Sequence, residues 1–536
     1  MAEKKEKAPT VSEILLEIIE FSAVLFRDNA GIAWAKVDGE CQPVRSTTFR
    51  RHIQRKFYHL EGKAPHTQAV QEAIEQAEGK ALFESRFNQN VNVRAALFDH
   101  RILIDLGDDS KLLAEVTEDG FDVTADHAFF YRPSGLEPLP IPEQGEIELL
   151  RPFINVESDA DFRLIVSWML TALHPGIACP ILVLQGEQGS SKSTTSKVIR
   201  SLIDPNTAPI RTAPRDEREL IIQGENSRMI CLDNLSGLKP WLSDALCRIC
   251  TGGGFSARKL YTNNEEKIFQ IRRPIILNGI DDIATRGDLL DRAIVLNLPA
   301  IPQTDRKDEG RFWKEFDRVR PKIFGAILDG MCSGLKYHDN IQLSNLPRMA
   351  DFARWAAACG KAYGWDNIIN EYNRNRGEAV ETGLDSDILA TAVRKIMVNL
   401  SKWQGTATEL VEKIEQVSGD VDNRYLPTTR TLKSRLTRLS PALRQVGIVW
   451  HRERVESGTV YIIKKPVNNV QVVQEVQGDN KNNGLHTGRT LAQPDNLAER
   501  ARNLQASKSL VDNESCTTGR TGTTEQDFLF EDKAPF

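Results

Sequence analysis

The stretch Pro180-Ile181-Leu182-Val183-Leu184-Gln185-Gly186-Glu187-Gln188-Gly189-Ser190-Ser191-Lys192-Ser193-Thr194 decides the architecture of this chain. Residues 180–185 form a short apolar run, the mark of a strand buried on both faces. The run enters a Gly-rich loop and then a helix reaching about Ile203. Strand, loop and helix N-terminus in this order are the context a phosphate-binding loop requires. Backbone N–H groups and the start of the helix attract phosphate oxygens. Gly186, Gly189, Ser190, Ser191, Lys192, Ser193 and Thr194 are the candidate nucleotide-binding residues. Lys192 is placed to reach the β- and γ-phosphates of ATP, and the Ser193 hydroxyl to ligate Mg²⁺. One position departs from G-x-x-x-x-G-K-[ST]: Ser191 stands where the second Gly belongs, a path Ser follows at some steric cost.

Two apolar strands downstream end in polar residues. Met229–Leu232 leads into Asp233 and Asn234, and Pro274–Leu277 leads into Asn278. Asp233 reads as the acid supporting Mg²⁺, and Asn278 as a polar group beside the γ-phosphate. Each segment alone also fits a core strand with a capping side chain; the order and spacing of the set favour a site. Further on, Arg286 and Arg292 flank Asp288 and Asp291. On a subunit edge such an Arg stabilises transition-state charge on a neighbour's ATP. For Arg286 a surface pairing with Asp288 or Asp291 is an equal alternative, while Arg292 is the stronger candidate for the role in trans.

With these residues in place, the chain resembles the AAA+ superfamily and, within it, the superfamily 3 helicases of viruses, phages and mobile elements. The poxvirus-type primase-helicases are the nearest in pattern. The resemblance rests on GEQGSSKST, MICLDN and PIILNG, held within 93 residues from Gly186 to Asn278, and covers about 150–370. It also rests on a basic hairpin before the last strand: residues 255–261, a Thr262-Asn263-Asn264 turn, and residues 266–272. The resemblance implies a ring, a hexamer in the family's usual form, that moves on DNA. It implies that Arg258, Lys259 and Lys267 of the hairpin grip DNA phosphates. The chain departs from the family at Asn234, where many of these ATPases place a catalytic Glu. An amide orients water but is a poor general base, so the base stays open and slow hydrolysis is expected.

Outward from this core, the pattern is multidomain. An α+β N-terminal domain is expected over 1–145, with strands at Ile102–Leu106, Leu112–Val116, Phe121–Val123 and Ala128–Tyr131. Pro133, Pro138, Pro140 and Pro142 mark a linker. The α/β P-loop core with a helical extension follows over 150–375, and a winged-helix-like domain over 385–465. From 466 to 536 the chain is polar and is expected to be a disordered tail.

The chain has 536 residues, 69 Lys+Arg and 74 Asp+Glu, for a net charge of −5. That sum conceals local basic segments. Residues 48–60 carry four basic residues and no acid, 255–273 five basic against two acidic, and 430–454 seven basic against one acidic. In the last, Leu432, Leu436 and Leu439 line one helix face while Lys433, Arg435 and Arg438 lie elsewhere, and a hairpin follows. A basic helix is often only a solvated face. Three such segments around this core point to DNA, with salt-sensitive phosphate contacts. The tail from 466 holds ten acidic and seven basic residues and ends in Gln526, Leu529 and Phe530 before Pro535-Phe536. Gln-x-x-Leu-Phe resembles the peptide that binds bacterial sliding clamps, and the acidic Pro-Phe end resembles that of single-strand-binding proteins. Chance is a rival to both.

The helix-like segment Val11–Glu20 carries three Glu and is no signal-peptide core, and apolar runs fall short of a membrane span. A cytoplasmic protein is expected. The eight cysteines are scattered; Cys247 and Cys250 form one C-x-x-C pair with no second pair, and read as small core residues one turn apart. No metal cage is expected from the histidines. Asp105, Asp108 and Asp109 are simplest as a strand end and turn, so no primase activity is assigned. The leading expectation is an ATP-dependent DNA helicase or replication-initiation ATPase of a phage or mobile element. The rivals are an AAA+ loader acting on a protein partner and a nucleotide-switched winged-helix regulator.

Overall fold

The computed structural model describes residues 9–465 except 86–87, 126–127, 259–265, 281–282, 284–285, 344–345, 420–424 and 457, and only the backbone of 255–270. The chain opens with α1 (Val11–Ser22), which starts in a capping box between Thr10 and Glu13. Strands β1 (Ala23–Arg27), β2 (Ala33–Val37) and β3 (Glu40–Pro43) form an antiparallel sheet in sequence order. Helices α2 (Thr47–Glu61) and α3 (Thr67–Phe83) pack on it. Phe49, Ile53 and Phe57, four residues apart, are the buried stripe of α2, while Arg51 and Arg55 face solvent.

The expected meander is present as β4 (Ala95–Phe98), β5 (Arg101–Asp105), β6 (Leu113–Val116) and β7 (Phe121–Thr124), in sequence order. Its first strand was not expected, and the expected strand Ala128–Tyr131 is not a ladder. Phe130 and Tyr131 instead make single bridges to Asn92 and Cys41. The reason is aromatic packing: Phe129 stands edge-on to Phe26 at 5.0 Å and Tyr131 to Trp34 at 5.6 Å, which pulls this segment between the two sheets. The proline-rich stretch is extended and packed: the Glu137 N–H donates to Pro205 at 3.0 Å and Leu139 to Leu106 at 2.8 Å.

The core begins with α4 (Asp159–Leu173). Strands β8 (Ile181–Gln185), β9 (Ile230–Leu235), the antiparallel hairpin β10 (Gly254–Arg258) and β11 (Glu266–Gln270), β12 (Ile275–Gly279) and β13 (Ala293–Asn297) follow. Helices α5 (Lys192–Ile203), α6 (Glu217–Glu225), α7 (Pro240–Thr251) and α8 (Gly287–Leu290) lie between them. The sheet is parallel in the order β13-β8-β12-β9, so β8 is paired on both edges. All five of its residues are buried, which accounts for an apolar run without alternation. Helices α9 (Glu309–Tyr337), α10 (Ala350–Gly360) and α11 (Ile368–Ser386) complete this part. The last unit has its own core: α12 (Ile388–Ile396), β14 (Lys402–Thr406), α13 (Ala407–Ser418), α14 (Thr429–Gln445), and the hairpin β15 (Val449–Val455) and β16 (Gly458–Lys464), with sheet order β14-β16-β15. Among the described residues no helix is long and apolar enough to cross a membrane. The seven described cysteines, Cys247 and Cys250 among them, are free and buried.

Buried charge ties these parts together. The fully buried Arg94 donates to Asp204 at 3.3 Å, to the Asp105 carbonyl at 3.0 Å and to the Glu137 carbonyl at 2.7 Å. The other Asp204 oxygen accepts the backbone N–H of Arg228 at 2.9 Å. The meander, the end of α5 and the entry to β9 therefore share one carboxylate.

His174 follows α4, edge-on to Trp355 at 4.5 Å, with its Nδ1 accepting the Gly176 N–H at 3.0 Å. Burial, and then the neighbouring Arg228, push its imidazole from 6.5 down to about 3. The folded value lies below the unfolded one, so this contribution is complete above pH 6.5 and is lost as pH falls toward 3. Acidification from pH 7 to 5 is expected to cost about 2 kcal/mol through this group. Urea melts at both pH values check this: His174→Gln should lack that part of the acid sensitivity, and an unchanged slope in the variant refutes the assignment.

Candidate nucleotide-binding site

The loop leaves the C-terminal end of β8 through three positive-φ residues: Gly186 at 148°, Gly189 at 88° and Ser191 at 60°. A Cβ at Gly186 would stand 2.5 Å from the Leu298 carbonyl oxygen, so the first glycine is required by close approach. Ser191 occupies the left-handed region at the N-cap of α5 and makes no side-chain cap. The steric cost expected from its sequence position is thus real. The loop N–H groups and the α5 N-terminus form the anion-attracting end. Lys192 curls over the loop, donating to the carbonyls of Gly186 and Glu187, both at 2.7 Å, and to Ser190 Oγ at 3.1 Å. Burial lowers its pKa, partly opposed by Asp233. Thr194, the last residue of the motif, is half-buried in the first turn of α5.

Asp233 is where the separated motifs meet. The Ser193 hydroxyl donates to its carboxylate at 2.9 and 3.1 Å, and Asn278 Nδ2 donates at 2.9 Å. Behind it, the buried Ser196 hydroxyl donates to Asn278 Oδ1 at 2.9 Å, which fixes the amide orientation. The strand does not stop at Asp233, as the sequence pattern suggested, but runs to Leu235. Pairing with β12 shifts there: Leu232 is opposite Leu277, and Leu235 opposite Gly279. The extra residue makes a bulge, a device that re-aims side chains beside active sites. Asn234 takes φ 57° in it, a conformation Asn tolerates, and is exposed.

The two arginines are not brought to this loop within the chain. Arg286 is held by Asp244 at 2.7 Å, by Asp288 at 3.3 Å and by the Pro240 carbonyl at 3.1 Å. Arg292 donates to the Asp288 carbonyl at 2.6 Å. Its own carbonyl accepts the N–H of Ile181, at the N-terminal end of β8, about 17 Å of strand from the loop. The hairpin places Arg258 opposite Glu266 and Ala257 opposite Lys267; Lys259 lies outside the described residues, as do the side chains of Arg258 and Lys267. On α14, Lys433 and Arg438 are exposed, while Arg435 donates to the Tyr425 carbonyl at 2.8 Å. Gln526, Leu529 and Phe530 lie outside the described residues.

Two residues of this site escaped sequence reasoning. Asn155 Nδ2 donates to the carbonyls of Ser190 at 3.0 Å and Pro299 at 2.7 Å, pinning the loop from outside the motif. An Arg306 guanidinium nitrogen lies 3.1 Å from where a Cβ on Gly189 would be, so a cation stands over the loop. Neither carries a spacing signal; both arrive through chain segments remote from the loop.

Residues 147–375 match the family described as the actinomycete integrative conjugative element replication protein, and residues 389–474 match the C-terminal domain of the same RepA protein. Over these two stretches the chain is a replication protein of a mobile element. No curated protein matches it. Among solved structures, the A-form apo structure of the NrS-1 C-terminal region is similar at 12% identity and a TM-score of 0.39, covering 86% of this chain and 100% of that one. A second A-form apo structure of that region gives 12% identity and a TM-score of 0.38, over 85% of this chain and 100% of that one. Likeness this slight adds no argument to the site.

Ser191 offers a direct check of the loop geometry. A left-handed non-Gly residue costs about 1–2 kcal/mol, part of which Gly returns as unfolded-chain entropy. Ser191→Gly is therefore expected to match or exceed the wild type by up to about 1 kcal/mol. A β-branched Ser191→Val should destabilise. Thermal melts decide it, and the reverse order would contradict the backbone described.

Proposed function

We propose that this replication protein is an ATP-dependent DNA motor or initiation ATPase of the AAA+ type, within the superfamily 3 helicase pattern, working as a homo-oligomeric ring. The observation that carries the reading is the meeting of Ser193, Asp233 and Asn278 at the mouth of the Gly-rich loop. A hydroxyl and a carboxylate side by side are hard oxygen donors that suit Mg²⁺. Lys192 already sits within reach of the loop's carbonyls and exchanges them for phosphate oxygens. ATP·Mg supplies the phosphoryl group whose transfer drives movement. Gly186, Gly189, Ser190, Ser191 and Thr194 line the phosphate cradle with backbone N–H groups. Asp233 holds the metal side, Asn278 senses the terminal phosphate and Asn234 orients water. Arg292, remote from its own loop, is available to a neighbouring subunit's site, as is Arg286 once it leaves Asp244.

DNA is the second ligand in this reading. Arg258, Lys259 and Lys267 grip its backbone from the hairpin. The C-terminal unit, with a basic helix and a following hairpin, acts as a winged helix through Lys433, Arg435 and Arg438. The tail peptide with Gln526, Leu529 and Phe530 docks on a sliding clamp; calorimetry with residues 520–536 should show binding, and silence removes that partner.

A forked-duplex assay tests the whole. Lys192→Ala should lower ATP turnover on the order of 10²–10³-fold and abolish unwinding, and a Lys259→Ala/Lys267→Ala double variant should lose unwinding while still binding nucleotide. A second reading draws on Asn234, exposed and in place of an acid. Slow turnover would let nucleotide act as an assembly switch. DNA-stimulated hydrolysis without unwinding favours a loader, and tight duplex binding without turnover favours a regulator.

A further inference from the structure

A cavity of about 1490 Å³ lies away from the phosphate loop. It opens between the first sheet region, with Asn29, Asn90 and Asn92, and the N-terminal ends of the core strands, with Arg228, Arg272 and Arg273. Its volume exceeds the roughly 300–1,000 Å³ of small-molecule sites, so an extended ligand fits better than a metabolite.

Three guanidinium groups on one wall are bound by carbonyl oxygens. Arg228 donates to the carbonyls of Ala172 at 2.8 Å and His174 at 3.0 Å, where α4 ends. Arg273 donates to Gly224 at 2.7 Å and Ser227 at 2.8 Å, where α6 ends, and Arg272 to Pro175 at 2.7 Å. These bonds satisfy donors without cancelling charge. Two helix C-termini offer about half a negative charge each, against three full positive ones. Burial lowers the pKa of all three, Arg228 to about 9 and Arg273 to about 10, and for Arg228 and Arg273 a neighbouring arginine adds to it; Asp204, Glu225 and Asp351 act in the opposite direction without outweighing burial. Of the two carboxylates in the lining, Glu78 is paired with a cation and Asp28 is held by neutral donors, so one carboxylate stands against the three guanidinium groups. Asp28 accepts from Ile32 N and Trp34 Nε1, both at 2.8 Å, and Glu78 accepts from Arg45 at 2.7 Å. The opposite wall offers neutral amides, with Asn29 donating to Asn90 at 2.7 Å.

We propose that this cleft is a groove for a single strand of DNA, its phosphates held by the cluster of Arg228, Arg272 and Arg273 and its other edge met by the asparagines. The inference rests on the reading of the chain as acting on DNA and adds a place for it. Thr251 and Gly252 of the lining precede the hairpin Gly254–Gln270, and Arg272 and Arg273 follow it, so a strand in the groove passes the hairpin's foot.

Arg272 is the residue to change, because it makes one backbone hydrogen bond and is half-buried. Anisotropy of a labelled oligo-dT with the full chain, across a salt series, reads the contact. Arg272→Ala should lower the magnitude of the log–log salt slope by about 0.7, the value of one phosphate contact on a single strand, and weaken binding several-fold at low salt. Arg272→Lys, which keeps the charge, should retain the slope, and melting temperatures report the fold. Binding with an unchanged slope in Arg272→Ala overturns the groove and leaves the DNA reading standing. No oligo-dT binding by the wild type overturns both. If a poly-glutamate peptide binds and is lost in Arg272→Ala while the DNA slope is unaltered, the groove belongs to an acidic protein segment instead.

Discussion

A strand paired on both edges and buried on both faces has no freedom left, and β8 is such a strand. Its backbone groups are spent on β12 and β13, and its five side chains on the core. The loop after it therefore leaves from a fixed point in a fixed direction. Gly186 has to turn at once because the Leu298 carbonyl closes the space where a side chain would lie. Parallel pairing also sets where the neighbouring strands end. Asn278 lies opposite Leu184, one residue short of the loop, and the bulge in β9 carries Asp233 into line with it. Three segments far apart in sequence meet because parallel strands in register end together.

Buried charge is handled in two ways in this chain. Around Asp204 it is paired: carboxylate, guanidinium and backbone donors complete one another, and parts of the fold are fastened by that satisfaction. At the N-terminal ends of the strands, Arg228 and Arg273 close the ends of α4 and α6 through backbone carbonyls, and both line the cleft beside the half-buried Arg272. A purely structural latch could have used a neutral donor at lower desolvation cost. Using cations leaves a field that a polyanion can answer.

The candidate nucleotide site was legible in the sequence because its signals are local. A buried strand, a Gly-rich turn and a helix start are adjacent residues, and Asp233 and Asn278 betray themselves as abrupt polar residues after apolar runs. The stripe Phe49, Ile53 and Phe57 was equally plain, since helical period and burial coincide. What stayed hidden depends on tertiary contact. Ala128–Tyr131 has strand composition, but its aromatic rings found Phe26 and Trp34, and packing outweighed propensity. Ala95–Phe98 is too short to stand out. Asn155 and Arg306 reach the loop from chain segments whose sequence says nothing of it, and Arg292 carries a motif position without the local geometry to serve its own loop.

The two candidate ligand sites lie at opposite ends of the same strands. β12 carries Asn278 near its C-terminal end, bonded to Asp233, and is preceded by Arg272 and Arg273 at its N-terminal end. From Asp233 a second route runs through the end of β9 and α7 to Thr251 and Gly252 in the cleft. Five residues of strand, about 17 Å, separate the ends. A rigid element of this length transmits a displacement rather than absorbing it, because close-packed interiors have low compressibility. Lys192 satisfies itself on loop carbonyls, and on the proposed reading phosphate oxygens would compete for it. A change there reaches Ser193 in the next residue, and through Asp233 and Asn278 the strand that ends in the arginines. On the proposed reading, one end of this stiff strand would carry the switchable contact and the other the charged grip.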